Sequence, residues 1–491
     1  MTKYDILNIE RKVWIKTMNE EMMMRIEHDS IGDLEVPVDA YYGVQSLRGA
    51  RNFKITGTGL HPLFIKNMAK IKKACALVNG HIGAFSSDKV DAIVEACDEI
   101  IAGGLMDAFI SDAIQGGAGT TANMNANEVI ANRAIEILGG KKGDYSIVHP
   151  NDHVNNAQST NDVIPTAGKM TVIDLIQPLL VSLHTLVLAF EGKAKEFDGI
   201  IKMGRTQLQD AVPIRLGQEF AAYAAAIRRD IRRIEYAEQE MHSINMGGSA
   251  IGTSINVDPV YLEEICKVLS AVAGYELKPC EDLIDGTQNL DGYVAVSSAL
   301  KTCCVNLSKI ANDLRLMSSG PRTGIGEIAL PPKQNGSSIM PGKINPVIPE
   351  VVNQVAFLVI GHDATITAAA EAGQLELNAF EPVLFYQLFE SITAMTGAVD
   401  TFIENCVIGI RANEKHCVEN VEKSTGIVTA MAPYIGYQRS ASIAKESLAT
   451  GVSVRELILR DSVMSEEELN ELLDARAMTE ARAIDTSKVK A

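Results

Sequence analysis

The sequence predicts a mainly α-helical protein built around a bundle of long helices, and three observations carry that prediction. Hydrophobic residues make up 46% of the 491 residues, yet aromatics reach only 5%, with one Trp. A core filled by Ala, Leu, Ile and Val suits packed helices better than a β-sandwich. Apolar residues also recur at alternating spacings of three and four. Ile173, Ile176, Leu180, Leu183, Val187 and Phe190 form one such stripe, Phe220, Ala224, Ile227, Ile231 and Ile234 a second, and Val296, Leu300, Cys303, Leu307, Ile310 and Leu314 a third. This is helix periodicity with a coiled-coil-like seam. Finally, the patterns persist for roughly 25 residues, about twice the mean globular helix, which implies a long bundle.

Taken in order, residues 1–24 read as an N-terminal extension. Charges alternate there with isolated apolar side chains, the segment closes on three consecutive methionines, Met22 to Met24, and no secretory signal is expected. The segment from Val36 to Gly43 reads as an extended turn. Helical patterns follow at 62–82 and 87–103. Two Gly- and Asn-rich segments, Gln115 to Asn127 and His149 to Asp162, then interrupt the pattern. Beyond Pro165 the long stripes begin, and Pro178 should kink the first of them. Arg228, Arg229, Arg232 and Arg233 fall on the outer face of the second. Further long patterns run over 347–372 and 382–410. The Ala-rich face from Ala221 to Ala226 lets helices approach closely and points to a homo-oligomer. From 416 the helices shorten. Ser453 with Glu456, and Ser465 with Glu468, each read as a capped helix start. The last dozen residues read as a frayed tail. The resulting division is an extension at 1–24, a mixed but mostly helical domain at 25–162, a long-helix domain at 163–415 and a small helical domain at 416–491.

Charge narrows the function. With 45 Lys and Arg against 62 Asp and Glu, the formal charge is −17, which opposes nucleic acid and anionic membranes. An anionic substrate must therefore be held by local donors. Mean hydropathy is +0.06, and no continuous apolar run approaches the ~20 residues of a membrane span. The eight cysteines form no C-x-x-C pair and read as free thiols of a reducing, cytoplasmic compartment. His416-Cys417 has no second ligand pair nearby, so no metal site is expected.

Four polar segments stand out against this framework. Gly116 to Asn125 places glycines, then Thr120, Thr121, Asn123 and Asn125, at a helix start, where backbone N–H groups and the dipole bind anions. Gly-rich loops are common, and no P-loop lysine follows. In His149-Pro150-Asn151-Asp152-His153 the two histidines are four apart, but Pro150 and the missing Glu of H-E-x-x-H argue for a structural or supporting role. Ser159-Thr160-Asn161 offers three short donors suited to a carboxylate, or equally an N-cap with turn residues. Gly204 to Asp210, closing on Pro213, reads as a polar turn between helices. The densest segment runs from Gly336 to Pro346. Ser337, Ser338, Lys343 and Asn345 lie in a stretch punctuated by two glycines and two prolines, so it cannot be a helix interior. Donors outnumber titratable groups in all four segments. That profile suits stabilising a negatively charged intermediate and not two-carboxylate glycoside chemistry.

These residues resemble the fumarase/aspartase superfamily over nearly the whole chain. The resemblance rests on Gly336-Ser337-Ser338-Ile339-Met340-Pro341-Gly342-Lys343-Ile344-Asn345-Pro346, joined by Gly119-Thr120, Asn123-Met124-Asn125, Gln158-Ser159-Thr160-Asn161-Asp162 and Gly204-Arg205-Thr206. The opening Arg25 to Asp29, with Asp39-Ala40-Tyr41-Tyr42-Gly43, is more similar to the aspartase branch than to fumarases. The resemblance implies three domains and a homotetramer with a twenty-helix core, each active site drawing on three subunits. It implies reversible anti elimination of ammonia from L-aspartate, a small dicarboxylate, to give fumarate. Ser337 would be the general base. Thr120, Ser159, Thr160 and Ser338 would hold the aci-carboxylate, and Thr206, Lys343 and Asn345 the α-carboxylate. Asn161 and Gln207 would lie near the amino group, with His149 and Glu350 behind them. The family implies no organic cofactor. Some members respond to divalent cations such as Mg²⁺, though no ligand cluster here demands one. Many members, fumarases included, carry His where this chain has Gln207, paired with a glutamate matching Glu350. The alternatives are fumarate hydratase on the same fold, or a non-catalytic structural protein of the superfamily.

Overall fold

The computed structural model describes residues 23–489, so residues 1–22 of the expected extension lie outside the described residues. The described chain is mainly helical, as expected, and its strands pair only as two-stranded ribbons. It forms two compact units, each drawn from three stretches of sequence. The first holds residues 23–177 with 234–299 and 361–392; the second holds 178–233, 300–360 and 393–489. Each internal boundary falls inside one of five long helices, Thr160–Glu196, Leu216–Glu238, Asp291–Met317, Val347–Glu371 and Glu381–Asn405.

In the first unit, strands Met24–Asp29 and Gly32–Pro37 pair antiparallel. The expected turn at 36–43 follows, fastened by one side chain: the Arg25 guanidinium donates to the carbonyls of Pro37, Val38, Ala40 and Tyr42. Buried Glu128 then caps the helix Val44–Asn52 from outside, accepting the N–H groups of Gly43, Gln45 and Ser46 and the Ser46 hydroxyl. A carboxylate there satisfies orphan donors and the positive end of the dipole. Helices Pro62–His81 and Ser87–Ile101 occupy the predicted stretches within two residues. The long-helix segments of this unit interlock through aromatics. Tyr293 donates to the Pro165 carbonyl at 2.6 Å and packs against Phe385, which stacks on Phe389.

In the second unit the seam residues Leu300, Cys303, Leu307, Ile310 and Leu314 are buried. Leu180 is only half-buried, and Leu179 and Leu186 take the core positions, because a 3.6-residue helix drifts off a strict heptad. Phe190 gathers Phe220, Tyr223 and Phe402 around it. Asn306 bonds both oxygens of buried Asp230. The four arginines of the outer face are exposed, as are Ala221 and Ala222. The last long pattern ends at Asn405, short of 410, and gives way to a 3-10 turn. Both predicted capping boxes form, at Ser453 with Glu456 and at Ser465 with Glu468. The short C-terminal helices surround Met431, Leu457 and Leu469, and Met203 joins that core.

Two expectations are corrected. Thr160–Glu196 and Val347–Glu371 are each long and apolar enough to cross a membrane by length and composition, though no continuous apolar run announced it. Only 44% and 33% of their most apolar windows are buried within the chain. Helices that pack on several neighbours carry few charges on any face, and so reach the same composition. Gly204–Asp210 is not an interhelix turn but the tip of a β-hairpin, Ile201–Thr206 against Gln209–Arg215.

Candidate active site

In the first unit three segments of donors converge on helix starts. Gly119, with φ +83°, caps the helix Thr120–Ile137. Thr120 is exposed at its first position, with its hydroxyl on the Gly117 carbonyl at 2.8 Å. A cleft of about 440 Å³ opens beside it, and His149, Asn151 and Arg48 share its lining. Arg48 is held there by Asp29 at 2.8 Å and by the Gly32 carbonyl at 2.7 Å. It adds a cation that the sequence reading did not single out. Its only signal was its place just after the Tyr41-Tyr42-Gly43 run.

The second segment opens the helix Thr160–Glu196. Ser159 is its N-cap: the hydroxyl accepts the Asn161 N–H at 3.2 Å, and Asp162 accepts the Ser159 N–H at 2.9 Å. The cap reading therefore holds for this residue. The Thr160 hydroxyl accepts from Asn123 at 3.3 Å, and Asn161 donates to the Ala250 carbonyl at 2.7 Å. Asp162 is fully buried and collects the N–H groups of Ser159, Gly247 and Ser249. Burial nonetheless pushes its carboxyl up to about 6. The third segment is one π-turn, Pro150–Val154, with His149 as its cap. His149 Nδ1 accepts the N–H groups of Asn151 and Asp152, and His153 Nδ1 accepts the His149 N–H. The two histidines fasten backbone and do not converge on a metal. Among the described residues no group of three or more His, Cys, Asp or Glu could hold one.

The second unit carries the other candidates. The hairpin turn is Gln207-Leu208, both with positive φ, 55° and 64°. A two-residue hairpin turn of this type asks for Asn or Gly, so holding Gln and Leu there stores strain of the kind found at functional sites. Without the Asn-Gly signal the hairpin was not legible. Thr206 and Gln207 are exposed at the tip, while the base is anchored by charge. Arg205 bonds Glu327 at 2.7 Å, and Lys202 lies 3.1 Å from the other Glu327 oxygen and 2.9 Å from Glu219. Glu327 and Lys202 are buried.

The loop 336–346 is closed at its base. Gly336 donates its N–H to the Lys343 carbonyl at 2.8 Å, and its own carbonyl accepts from Asn345 at 2.8 Å. A Cβ on Gly336 would come within 2.7 Å of the Lys343 oxygen, so only glycine permits this closure. Inside the loop, the Ser337 hydroxyl accepts two backbone N–H groups, from Ile339 at 3.2 Å and Met340 at 3.1 Å. Lys343 and Ser338 are exposed, as are the apolar side chains Ile339 and Ile344. Glu350, in the first turn of Val347–Glu371, lies 3.9 Å from Arg315. Thr120, Ser159, Thr160, Asn161 and His149 thus belong to the first unit. Thr206, Gln207, Ser337, Ser338, Lys343, Asn345 and Glu350 belong to the second.

A separate cavity of about 280 Å³ in the first unit is lined by Phe64, Phe385, Phe389, Tyr386 and Pro62, with Glu390 also in its lining. Its apolar walls and that carboxylate are the wrong chemistry for a dicarboxylate.

The sequence matches the family described as Lyase over residues 32–361, and Fumarase C C-terminus over 427–480. It is 54% identical over 456 residues to an aspartate ammonia-lyase of a Bacillus species, covering 93% of this chain and 97% of that one. The solved fumarate lyase:delta crystallin from Brucella melitensis, bound to cobalt, superposes with a TM-score of 0.91. It is 48% identical and covers 94% of this chain and 100% of that one. A class II fumarase from Schistosoma mansoni gives a TM-score of 0.90 at 33% identity, covering 93% and 99%.

Proposed function

This chain belongs to the fumarase/aspartase family of lyases, and we infer from that membership that it is an aspartate ammonia-lyase, converting L-aspartate to fumarate and ammonia. Identity of about half the residues along nearly the full length of curated aspartate ammonia-lyases carries this conclusion.

The loop geometry supports Ser337 as the base. A serine hydroxyl is far too weak an acid to lose its proton unaided. The two N–H groups already aimed at its oxygen favour the charged form, as backbone donors do for carboxylates. Ser337 then removes the C3 proton, and the electron pair moves into the β-carboxylate as an aci-carboxylate. Thr120, Ser159, Thr160 and Ser338 hold that dianion; each such donor is worth about 3–4 kcal/mol of barrier. Thr206, Lys343 and Asn345 bind the α-carboxylate, and Asn161 and Gln207 face the amine. Collapse of the intermediate expels ammonia on the opposite face. His149 supports the π-turn behind the donors. Glu350 faces a guanidinium in place of an imidazole. With Gln207 in the turn, water activation is weakened, which disfavours hydratase chemistry.

The active unit is a homotetramer of three-domain subunits with a twenty-helix core. Exposed apolar side chains on the long helices support this, among them Val181, Leu188, Val305, Phe357 and Leu358. Eight free cysteines suit a cytoplasmic location. The test is the rise of fumarate absorbance on adding L-aspartate, repeated with L-malate. Strong turnover of malate with none of aspartate would reject the assignment. Ser337→Ala should lose ~10²–10⁴-fold in kcat with its fold intact; near-normal turnover would remove Ser337 from the mechanism.

A further inference from the structure

Behind the Ser159-Thr160 donors lies a buried cation with no direct anionic partner among the described residues. Lys72, on the helix Pro62–His81, has 0% exposure. Its ammonium donates to two neutral amide oxygens, Asn155 Oδ1 at 2.7 Å and Gln158 Oε1 at 2.9 Å. The same Asn155 oxygen also accepts from Asn123 and Asn127, each at 3.2 Å. Asn155 and Gln158 form the turn that leads into Ser159. Asn155 Nδ2 bonds the Gln158 carbonyl, and Gln158 Nε2 bonds the carbonyls of Val154 and Asn156. Asn123 continues the network to the Thr160 hydroxyl. One ammonium therefore fastens the turn that aims two of the proposed donors.

A buried charge bonded only to amides is expensive as structure, since an apolar side chain of similar volume would fill the site without desolvation cost. Its use must lie in the charge. The buried oxygens of Asn123 and Asn127, the two residues that also donate to the Asn155 oxygen, have no hydrogen-bond partner among the described residues. We propose that Lys72 is a positioning residue whose charge, bonded directly only to amides and transmitted through Asn155 and Gln158, favours the doubly negative aci-carboxylate over bound aspartate. The proposal rests on the reaction assigned above. Because it favours the intermediate over the ground state, it acts on kcat more than on KM.

The groups facing Lys72 are Asp162, Cys75 and Cys97. Asp162 is already engaged by three backbone N–H groups. Burial pushes the Cys75 thiol up to about 12 and Cys97 higher still, so both stay neutral. Burial also lowers Lys72 to about 8, so its loss of charge falls on the basic side of the activity profile.

The test uses the full chain with L-aspartate, and the parent must turn over aspartate; failure there would count against the assigned reaction and not against Lys72. Lys72→Met should lower kcat ~10- to 100-fold, less than the ~10²–10³-fold of a direct oxyanion donor. KM should change under threefold, and the basic limb near pH 8 should vanish. A 3-nitro analogue of the substrate, whose nitronate carries the second charge, should lose affinity by the same factor as kcat. Gln158→Glu keeps the acceptor for Lys72 and neutralises the charge, at the loss of the two Gln158 Nε2 bonds to the Val154 and Asn156 carbonyls. It should move the basic limb of kcat upward, a shift that the lost turn bonds do not by themselves produce and that a purely structural lysine would not show. It therefore decides the matter even if Lys72→Met fails to fold. A basic limb left in place by Gln158→Glu, or a Lys72→Met that loses stability while kcat and nitronate affinity hold, overturns the proposal.

Discussion

Replacing Gly119 with alanine strikes both donor helices of the first unit at once. Gly119 caps the helix of Thr120 in the left-handed region, φ +83°. A Cβ there would meet Ile164 Cγ2 at 2.8 Å, Cγ1 at 3.0 Å and Cδ1 at 3.3 Å. Ile164 is buried in the second turn of the helix that Thr160 opens. Left-handed backbone costs alanine about 1–2 kcal/mol, and overpacking adds about 1–3 kcal/mol, so the variant should lose ~2–5 kcal/mol. The steric part forces Thr120 and Thr160 apart, so KM for aspartate should rise with the loss of stability. Urea unfolding and steady-state kinetics read the two effects. Ile164→Ala removes all three contacting atoms and so relieves only the steric part. A double-mutant cycle should return a coupling of about 1–3 kcal/mol. Additive single effects, or a Gly119→Ala protein as stable and active as the parent, would refute the reasoning.

Glu327→Ala should destabilise by about 3–5 kcal/mol, because it leaves buried Lys202 and the Arg205 guanidinium without their shared carboxylate. Hydrogen exchange should show the 201–215 hairpin opening first; an unchanged unfolding midpoint would count against this anchor. Lys72 also makes stability depend on pH. Its folded value of about 8 lies below its ordinary 10.5, so its contribution is fully present above pH 10.5 and lost as pH falls through 8. The difference is about 3 kcal/mol. Parent minus Lys72→Met should therefore rise by that amount from pH 7 to pH 10.5, even as activity falls over the same range, and a flat difference would show that Lys72 is not buried as a charge.

The long helices and both capping boxes were legible because their signals are local. A stripe at three-and-four spacing, or Ser followed three residues later by Glu, acts within one or two turns. The donor segments were legible for the same reason, as runs of Gly, Asn, Ser and Thr breaking an apolar pattern. Lys72 left a fainter trace, lying on the same helical stripe as Ile65, Met68, Cys75 and Asn79. A lysine at a core position is a signal only once the stripe is known to be buried. The Gln207-Leu208 hairpin left none, because its strained turn lacks the residues that favour it and is held by Glu327, 120 positions away in sequence.

Sequence alone determined that this chain is helical, acidic and interrupted by four segments rich in hydrogen-bond donors, since these follow from residue type and short-range spacing. Only tertiary structure decided which donors are aimed and what stands behind them: two N–H groups on the Ser337 oxygen, an ammonium beneath Asn155, a guanidinium beside Glu350. The physical reason is range. Periodicity and capping are properties of neighbours along the chain, whereas desolvation and charge pairing depend on groups that only folding brings within a few ångströms.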